Sequence, residues 1–145
     1  ILQTAGLSAG YTGWCHGILA SVALRRRAYA TAIEHARKAQ GLCKRVPLRL
    51  LWVLSLLTRA LLESGAVAEA AALAPRMLTS LEDLGGGYME VAVRRAAAAA
   101  FLASGQRERG QLEQQRAQQR LQTRIERIAD EATRARYRLS QTDCD

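Results

Sequence analysis

Between residues 49 and 82 the apolar positions follow a helical period. Leu50, Val53, Leu54, Leu57, Leu61 and Leu62 recur at three- and four-residue steps, which predicts one helix with a wide apolar face. Glu63-Ser64-Gly65 breaks the pattern, and Gly65 suits a helix C-terminus because it takes positive φ without steric cost. An Ala-rich helical pattern follows. Pro75 lies inside it and predicts a kink near residues 71–75 within one helix, since proline removes a backbone donor. Residues 49–82 therefore read as a helical hairpin.

The same layout recurs on both sides. Upstream, Trp14, Ile18, Leu19, Val22 and Ala23 stand at helical spacing, Arg25-Arg26-Arg27-Ala28 makes a turn, and Tyr29, Ala32, Ile33, Ala36 and Ala39 share a face. Val46-Pro47 closes that unit, because the residue before proline is disfavoured in helix. Downstream, Gly85-Gly86-Gly87 forms a flexible break. No Gly-Lys-Ser/Thr follows these glycines and no strand precedes them, so they read as a linker and not a phosphate loop. Val91, Val93, residues 96–100, Phe101 and Leu102 then form a helix, Ser104-Gly105 repeats Ser64-Gly65, and a polar helix continues through Leu121, Ile125 and Ile128.

Superposed on their turns, Arg27, Gly65 and Gly105 lie 38 and 40 residues apart, and the second helices place Ala36 and Ala39 opposite Ala74 and Met77, then Gln114 and Ala117. Fixed periods of this size mark helical solenoids, in which each hairpin buries its face against its neighbours. The predicted fold is all-α: an α-α superhelix of about three helical hairpins (about 12–45, 48–84 and 88–129) with a C-terminal capping helix over about 130–140. It forms a single domain over 1–145, read as a piece of a larger protein because the chain starts at Ile1 without an initiator Met.

Composition agrees with this. Of the 145 residues, 49% are hydrophobic but only 5% aromatic; two prolines are present, and Ala and Leu dominate the apolar share. The net charge of +8 is uneven: residues 1–60 hold nine basic and one acidic residue, residues 61–105 three and five, and residues 106–145 nine and seven. Such a field could favour nucleic acid or acidic partners, but a solvated Arg-rich surface is the preferred account of it. Stacking aromatics between the basic residues are few and no nucleic-acid-binding signature is present, so a basic helical nucleic-acid-binding module stands as the alternative reading. Residues 1–24 carry no charge and precede Arg25-Arg26-Arg27, the outline of a membrane span. Gln3, Thr4, Ser8, Thr12, His16 and Ser21 argue against one. Glycines at 6, 10, 13 and 17 suit close helix approach instead, and they predict a first helix that becomes regular only near Thr12.

No catalytic, cofactor or metal site is legible. Cys15, Cys43 and Cys144 form no CxxC pair and fit a reducing, cytoplasmic setting. Cys15, His16 and His35 lack the four-ligand spacing of zinc and the base and orienter that a nucleophile needs. Leu121, Ile125, Ile128, Ala132, Ala135 and Leu139 step as a heptad seam shorter than three heptads, which favours a long last helix docked on the solenoid over a homo-oligomer formed through that tail.

The pattern resembles tetratricopeptide (TPR) repeats. Ala32, Ala70 and Gly110 match the most constrained small position of that family, Ala39 and Ala117 a later one, and Leu19, Leu57 and Leu61 first-helix core sites. The early Trp position holds His16, Leu54 and Arg94, the closing Pro position Lys44, Glu82 and Gln122, and the period exceeds the usual ~34. Residues 127–139 resemble the closing segment I-x-D-x-x-x-R-x-x-F-L that follows TPR-like repeats in large bacterial serine/threonine kinases and related signalling ATPases, with Ile128, Asp130, Arg134 and Tyr137 fitting it. Asp130 would cap the last helix, Arg134 could pair with it, and Tyr137 would cover the end of the stack. The resemblance implies a protein-protein interaction or scaffold region, regulatory in a multidomain parent; no kinase motif lies in the chain. Its partner would be a protein, a peptide or another domain of the parent chain. The alignment puts His16, Ala20, Leu54, Thr58, Arg94 and Ala98 on the concave face as partner-binding candidates.

Overall fold

The computed structural model describes the backbone of residues 2–142 and the side chains of residues 8–141. Among them it contains seven helices and no strand: α1 (Leu2–Arg25), α2 (Tyr29–Leu42), α3 (Pro47–Glu63), α4 (Val67–Asp83), α5 (Glu90–Ala103), α6 (Arg107–Glu126) and α7 (Glu131–Thr142). None is long and apolar enough to cross a membrane.

The hairpins α1–α2, α3–α4 and α5–α6 share one turn. Arg27, Gly65 and Gly105 all adopt left-handed backbone, at φ 58°, 84° and 82°. In each turn two amides bond back to the preceding helix. Arg27, Gly65 and Gly105 donate to Leu24, Leu62 and Leu102; Ala28, Ala66 and Gln106 donate to Ala23, Leu61 and Phe101, at 2.8–2.9 Å. This paired closure satisfies carbonyls that a helix end leaves open. Arg27 is the exception in side chain, since an L-residue in this conformation costs roughly 1–2 kcal/mol. Arg27→Gly should therefore raise the thermal midpoint by a few degrees, less whatever the freer unfolded chain takes back. A midpoint that falls in a calorimetric scan would show that the turn is not strained.

The triple glycine closes α4 in the same way. Gly85 and Gly86 donate to Glu82 and Leu81 at 2.9 Å, and φ stays positive through Gly87. Its exit is held from α6, because Arg124 donates to the carbonyls of Gly87 and Tyr88. Helix α4 runs unbroken through Pro75.

Helix α3 is the centre of the molecule. It touches α1, α2, α4 and α5. Leu51, Val53, Leu54, Leu57, Thr58, Ala60 and Leu61 are all at most 2% exposed, so it is buried on most of its circumference. The main cluster joins it to Ala20, Ala36, Ala70, Ala74, Met77 and the α5 residues Val93, Ala97 and Phe101. Ala32, Ala70 and Gly110, the equivalent small positions, are all buried. Gln114 is exposed where Ala36 and Ala74 are buried; in α6 the inward position falls to Glu113.

Helix α1 is regular from Leu2, ten residues before its glycines would allow on propensity alone. Packing supplies the reason. A Cβ on Gly13 would stand 2.7 Å from Cys43 Sγ and 2.9 Å from Leu42 Cβ, and one on Gly17 would enter the Trp52 ring, 2.9 Å from Cη2. The glycines let α2 and α3 approach α1, and tertiary contact offsets the lost propensity.

The tail is not one helix. It breaks over residues 127–130, so Leu121 and Ile125 are buried in α6 while Ala132, Ala135 and Leu139 face solvent on α7, and the heptad seam does not exist as a continuous face. Asp130 restarts the chain: its Oδ2 accepts from the Thr133 amide at 2.6 Å and the Thr133 hydroxyl at 2.5 Å. Arg134 donates to the Ala129 carbonyl at 3.0 Å. Tyr137 packs on Val91, Leu121 and Ile125. The bonds from the Thr133 hydroxyl and then its amide hold the Asp130 carboxyl below its ordinary value of 3.8. A lowered carboxyl stabilises the folded state above the unfolded value, and that stabilisation disappears as pH falls through the folded one. The Thr133 amide resonance should therefore titrate below pH 3.8 and move toward a disordered position there; in Asp130→Ala it should stay there at every pH.

Candidate interaction surface

The six aligned positions are equivalent in the structure, but they face inward. Three of them, one in each hairpin, meet the residue 19 further on, across their own hairpin. His16 Nδ1 lies 2.9 Å from His35 Nδ1. Thr58 Oγ1 lies 3.6 Å from Met77 Sδ while donating to the Leu54 carbonyl at 2.8 Å. Arg94 Nη1 lies 2.5 Å from Glu113 Oε2. Ala20, Leu54, Thr58 and Ala98 are at most 3% exposed. His16 and Arg94 are half-buried, each held by a partner on the second helix. None of the six opens onto a concave surface. They form the seams that hold the two helices of each hairpin together.

The surface groove lies about one residue along, some 100° around each first helix. Between α3 and α5 is a cleft of about 480 Å³ whose walls include Trp52, Leu56, Arg59, Ala92, Arg95 and Ala99. A second hollow of about 360 Å³ adjoins it between Trp14, Leu48, Arg49 and Trp52. The two share Trp52, Tyr88 and Met89. Helices α1, α3 and α5 thus line one continuous surface, with Gln141 of α7 at its end. Sequence reasoning missed these residues because α3 is apolar almost all round, and hydrophobicity cannot say which apolar side is uncovered. Trp14 and Trp52, equivalent positions 38 residues apart in the repeat, were the available signal.

Arginines Arg49, Arg59 and Arg95 line this surface against one carboxylate, Glu63. Arg49 donates to the Gly10 carbonyl at 3.2 Å, and its guanidinium stands 5.6 Å from the Tyr11 ring and 5.8 Å from that of Trp14, within cation–π range. Arg95 donates to the Gln141 carbonyl at 3.4 Å. Ser55 is committed to the Trp52 carbonyl at 2.7 Å, so the floor is largely apolar. Tyr11, Trp14 and Tyr88 stand well out into solvent.

Behind the groove is an ionic cluster. Arg94 bonds Glu90 at 3.1 Å as well as Glu113, and Arg116 bonds Glu113 at 2.8 Å. Arg120 Nε lies 2.8 Å from Glu90 Oε2, close enough to pair in charge though not aligned as a hydrogen bond. Burial works against the charge on Arg94, but the Glu113 and Glu90 carboxylates outweigh it and hold the guanidinium above its ordinary value.

Among the described residues, neither Cys15 nor Cys43 lines this surface, and Cys144 lies outside them. Cys43 is fully buried, and burial pushes its thiol up, away from the thiolate that nucleophilic chemistry requires. Among the described residues no three His, Cys, Asp or Glu side chains gather as a metal site. No family model, curated protein or solved structure matches the chain.

Proposed function

We propose that the chain is a protein-interaction module that receives a segment of its partner in the cleft between α3 and α5. The observation that carries this reading is the continuous groove itself: an apolar floor of about 480 Å³ bordered by Trp52, Tyr88 and arginines, on the side of the hairpins that their own packing leaves open. Aromatic and arginine side chains at the edge of an apolar depression are the usual anchors of protein recognition. The proposal extends to context. The chain would be the TPR-like regulatory region of a multidomain bacterial signalling protein, a serine/threonine kinase or regulatory ATPase, in the cytoplasm. The Asp130 cap and the packing of Tyr137, at two positions of the resembled closing segment, support that context, and the exposed thiol of Cys15 fits a reducing compartment.

A peptide library selected against the chain tests the groove. Ala92 and Ala99 are exposed, so Ala92→Arg with Ala99→Arg fills the cleft without touching the core. The double variant should weaken a selected peptide by at least about tenfold while its melting curve is unchanged. Peptides that bind it as well as the parent would remove the proposal. One observation favours nucleic acid as a second reading: Arg49 between Tyr11 and Trp14 could stack a base. A salt-titrated gel shift with a single-stranded oligonucleotide separates the two. Retention at low salt that Arg49→Ala and Trp14→Ala abolish would transfer the assignment.

A further inference from the structure

A second surface, about 100° around α1 from the hairpin seam and on the other side of it from the groove, is legible only through the repeat. The turn alignment equates Cys15, Leu19 and Val22 of α1 with Val53, Leu57 and Ala60 of α3 and with Val93, Ala97 and Ala100 of α5. In α3 these positions are 0%, 2% and 1% exposed, and in α5 all three are 0%. In α1 Leu19 is 47% and Val22 41% exposed, Cys15 faces solvent, and Ile18 beside them is 42% exposed. The same face is dry twice and wet once.

What covers it in the other two repeats is known. Val53 clusters with Ala39 of α2 and Cys43 at its C-terminal end, and Ala60 with Ala32 of α2 beside Ala23 of α1, so the second helix of the preceding hairpin supplies most of the cover. Val93, Ala97 and Ala100 share a cluster with Ala70, Ala74 and Met77 of α4, again the second helix of the preceding hairpin. In both cases the covering helix presents buried apolar residues at steps of four and three, three alanines in α2 and two alanines with Met77 in α4, which lets two helix axes lie close. The unmatched face of α1 has Leu and Val where α5 has Ala, and it matches α3 in carrying one Leu and one Val, so it leaves in water an apolar area of the kind the other repeats bury.

A second copy of this chain cannot supply such a helix while folded. The apolar stripes of α2 and α4 are already at most 1% exposed, counting Ala32, Ala36, Ala39, Ala70, Ala74 and Met77. The remaining second helix, α6, turns mainly Gln, Arg and Glu outward. We propose that α1 is a docking surface for an amphipathic helix from outside this chain, with Ala-sized residues at steps of four and three, lying along Leu19 and Val22 as α2 lies on α3 and α4 on α5. The surface is separate from the groove, so neither reading depends on the other.

The probe is a peptide of the α4 sequence, residues 66–84, held helical by a staple across positions 68 and 72, both of which point away from the packing stripe. Added to the intact chain, it should bind saturably and slow amide exchange in α1. Leu19→Glu with Val22→Glu, which replaces exposed side chains and should leave the melting curve in place, should weaken it by at least about tenfold. Ala92→Arg with Ala99→Arg should not. A stapled peptide of the α6 sequence, which lacks the stripe, should not bind. The proposal is overturned if the α4 peptide fails to bind at millimolar concentration. It is overturned equally if α1 is protected by self-association that the Leu19→Glu, Val22→Glu variant abolishes in sedimentation, for the occupant would then be a second copy.

Discussion

Leu57→Asp should abolish the cooperative helical melt of the whole chain, not just of one hairpin. Leu57 is 2% exposed and lies in the cluster that links α1, α2, α3, α4 and α5. Truncating a buried leucine costs roughly 2–5 kcal/mol, and a carboxylate in its place has no partner within that apolar cluster, so it adds an uncompensated burial cost of several kcal/mol more. The sum reaches the whole stability of a typical domain, about 5–15 kcal/mol. Because α3 contacts four other helices, no smaller unit retains a core without it. Ala70→Arg should act likewise, since Ala70 is 0% exposed at the position where α4 meets its neighbours. Arg59→Ala, on the groove surface, should move the thermal midpoint by only about 1–2 °C, as surface substitutions do. Circular dichroism melts of the three variants decide the matter. A sharp transition retained in Leu57→Asp would mean that the hairpins fold independently.

The contrast between turns and faces shows what the sequence could reveal. Arg27, Gly65 and Gly105 are alignable because each breaks an apolar helical pattern and a second helical pattern follows at once, which is a local signal, and all three turns have the same bonds. The six candidates at 16, 20, 54, 58, 94 and 98 came from that same alignment and are equivalent in space, so the repeat register was legible. The face was not. Whether a first-helix position meets its own second helix or open solvent depends on the rotation of each helix about its axis, and an error of one residue turns it by about 100°. In α3, where nearly every side is apolar, nothing local fixes that rotation. In the tail the Asp130 cap and the separate last helix were legible, and only the heptad seam was misleading, for a different reason. A heptad spacing runs unbroken from Leu121 to Leu139, but the Asp130 side chain offers the Thr133 amide a competing bond, and a capping bond at a helix start outweighs a seam with nothing to pack on.

Glu113→Ala should lower the thermal midpoint by roughly 6–20 °C, the second largest effect expected here, taking ~3–5 kcal/mol for a broken buried pair and ~2–4 °C per kcal/mol. Helix α6 has few apolar anchors: Ala117, Leu121 and Ile125, besides Gly110, are all that it buries apart from Glu113. The Glu113 side chain is 5% exposed and that of Arg94 12%, so water cannot replace the lost partner. Arg94 would keep Glu90, but Glu90 is shared with Arg120, and one carboxylate would then face two guanidinium groups. The sign of the pair's own contribution is a separate question, because desolvating both ions offsets most of their attraction. A double-mutant cycle resolves it. Arg94→Leu with Glu113→Leu removes both charges and leaves apolar volume in the seam, so it should recover most of the loss caused by Glu113→Ala. If the double variant is instead as unstable as the single one, the charges themselves bind α6 to α5. The position equivalent to the His16–His35 contact would then be held by attraction between opposite charges in the third hairpin, where the first has two imidazole rings in contact.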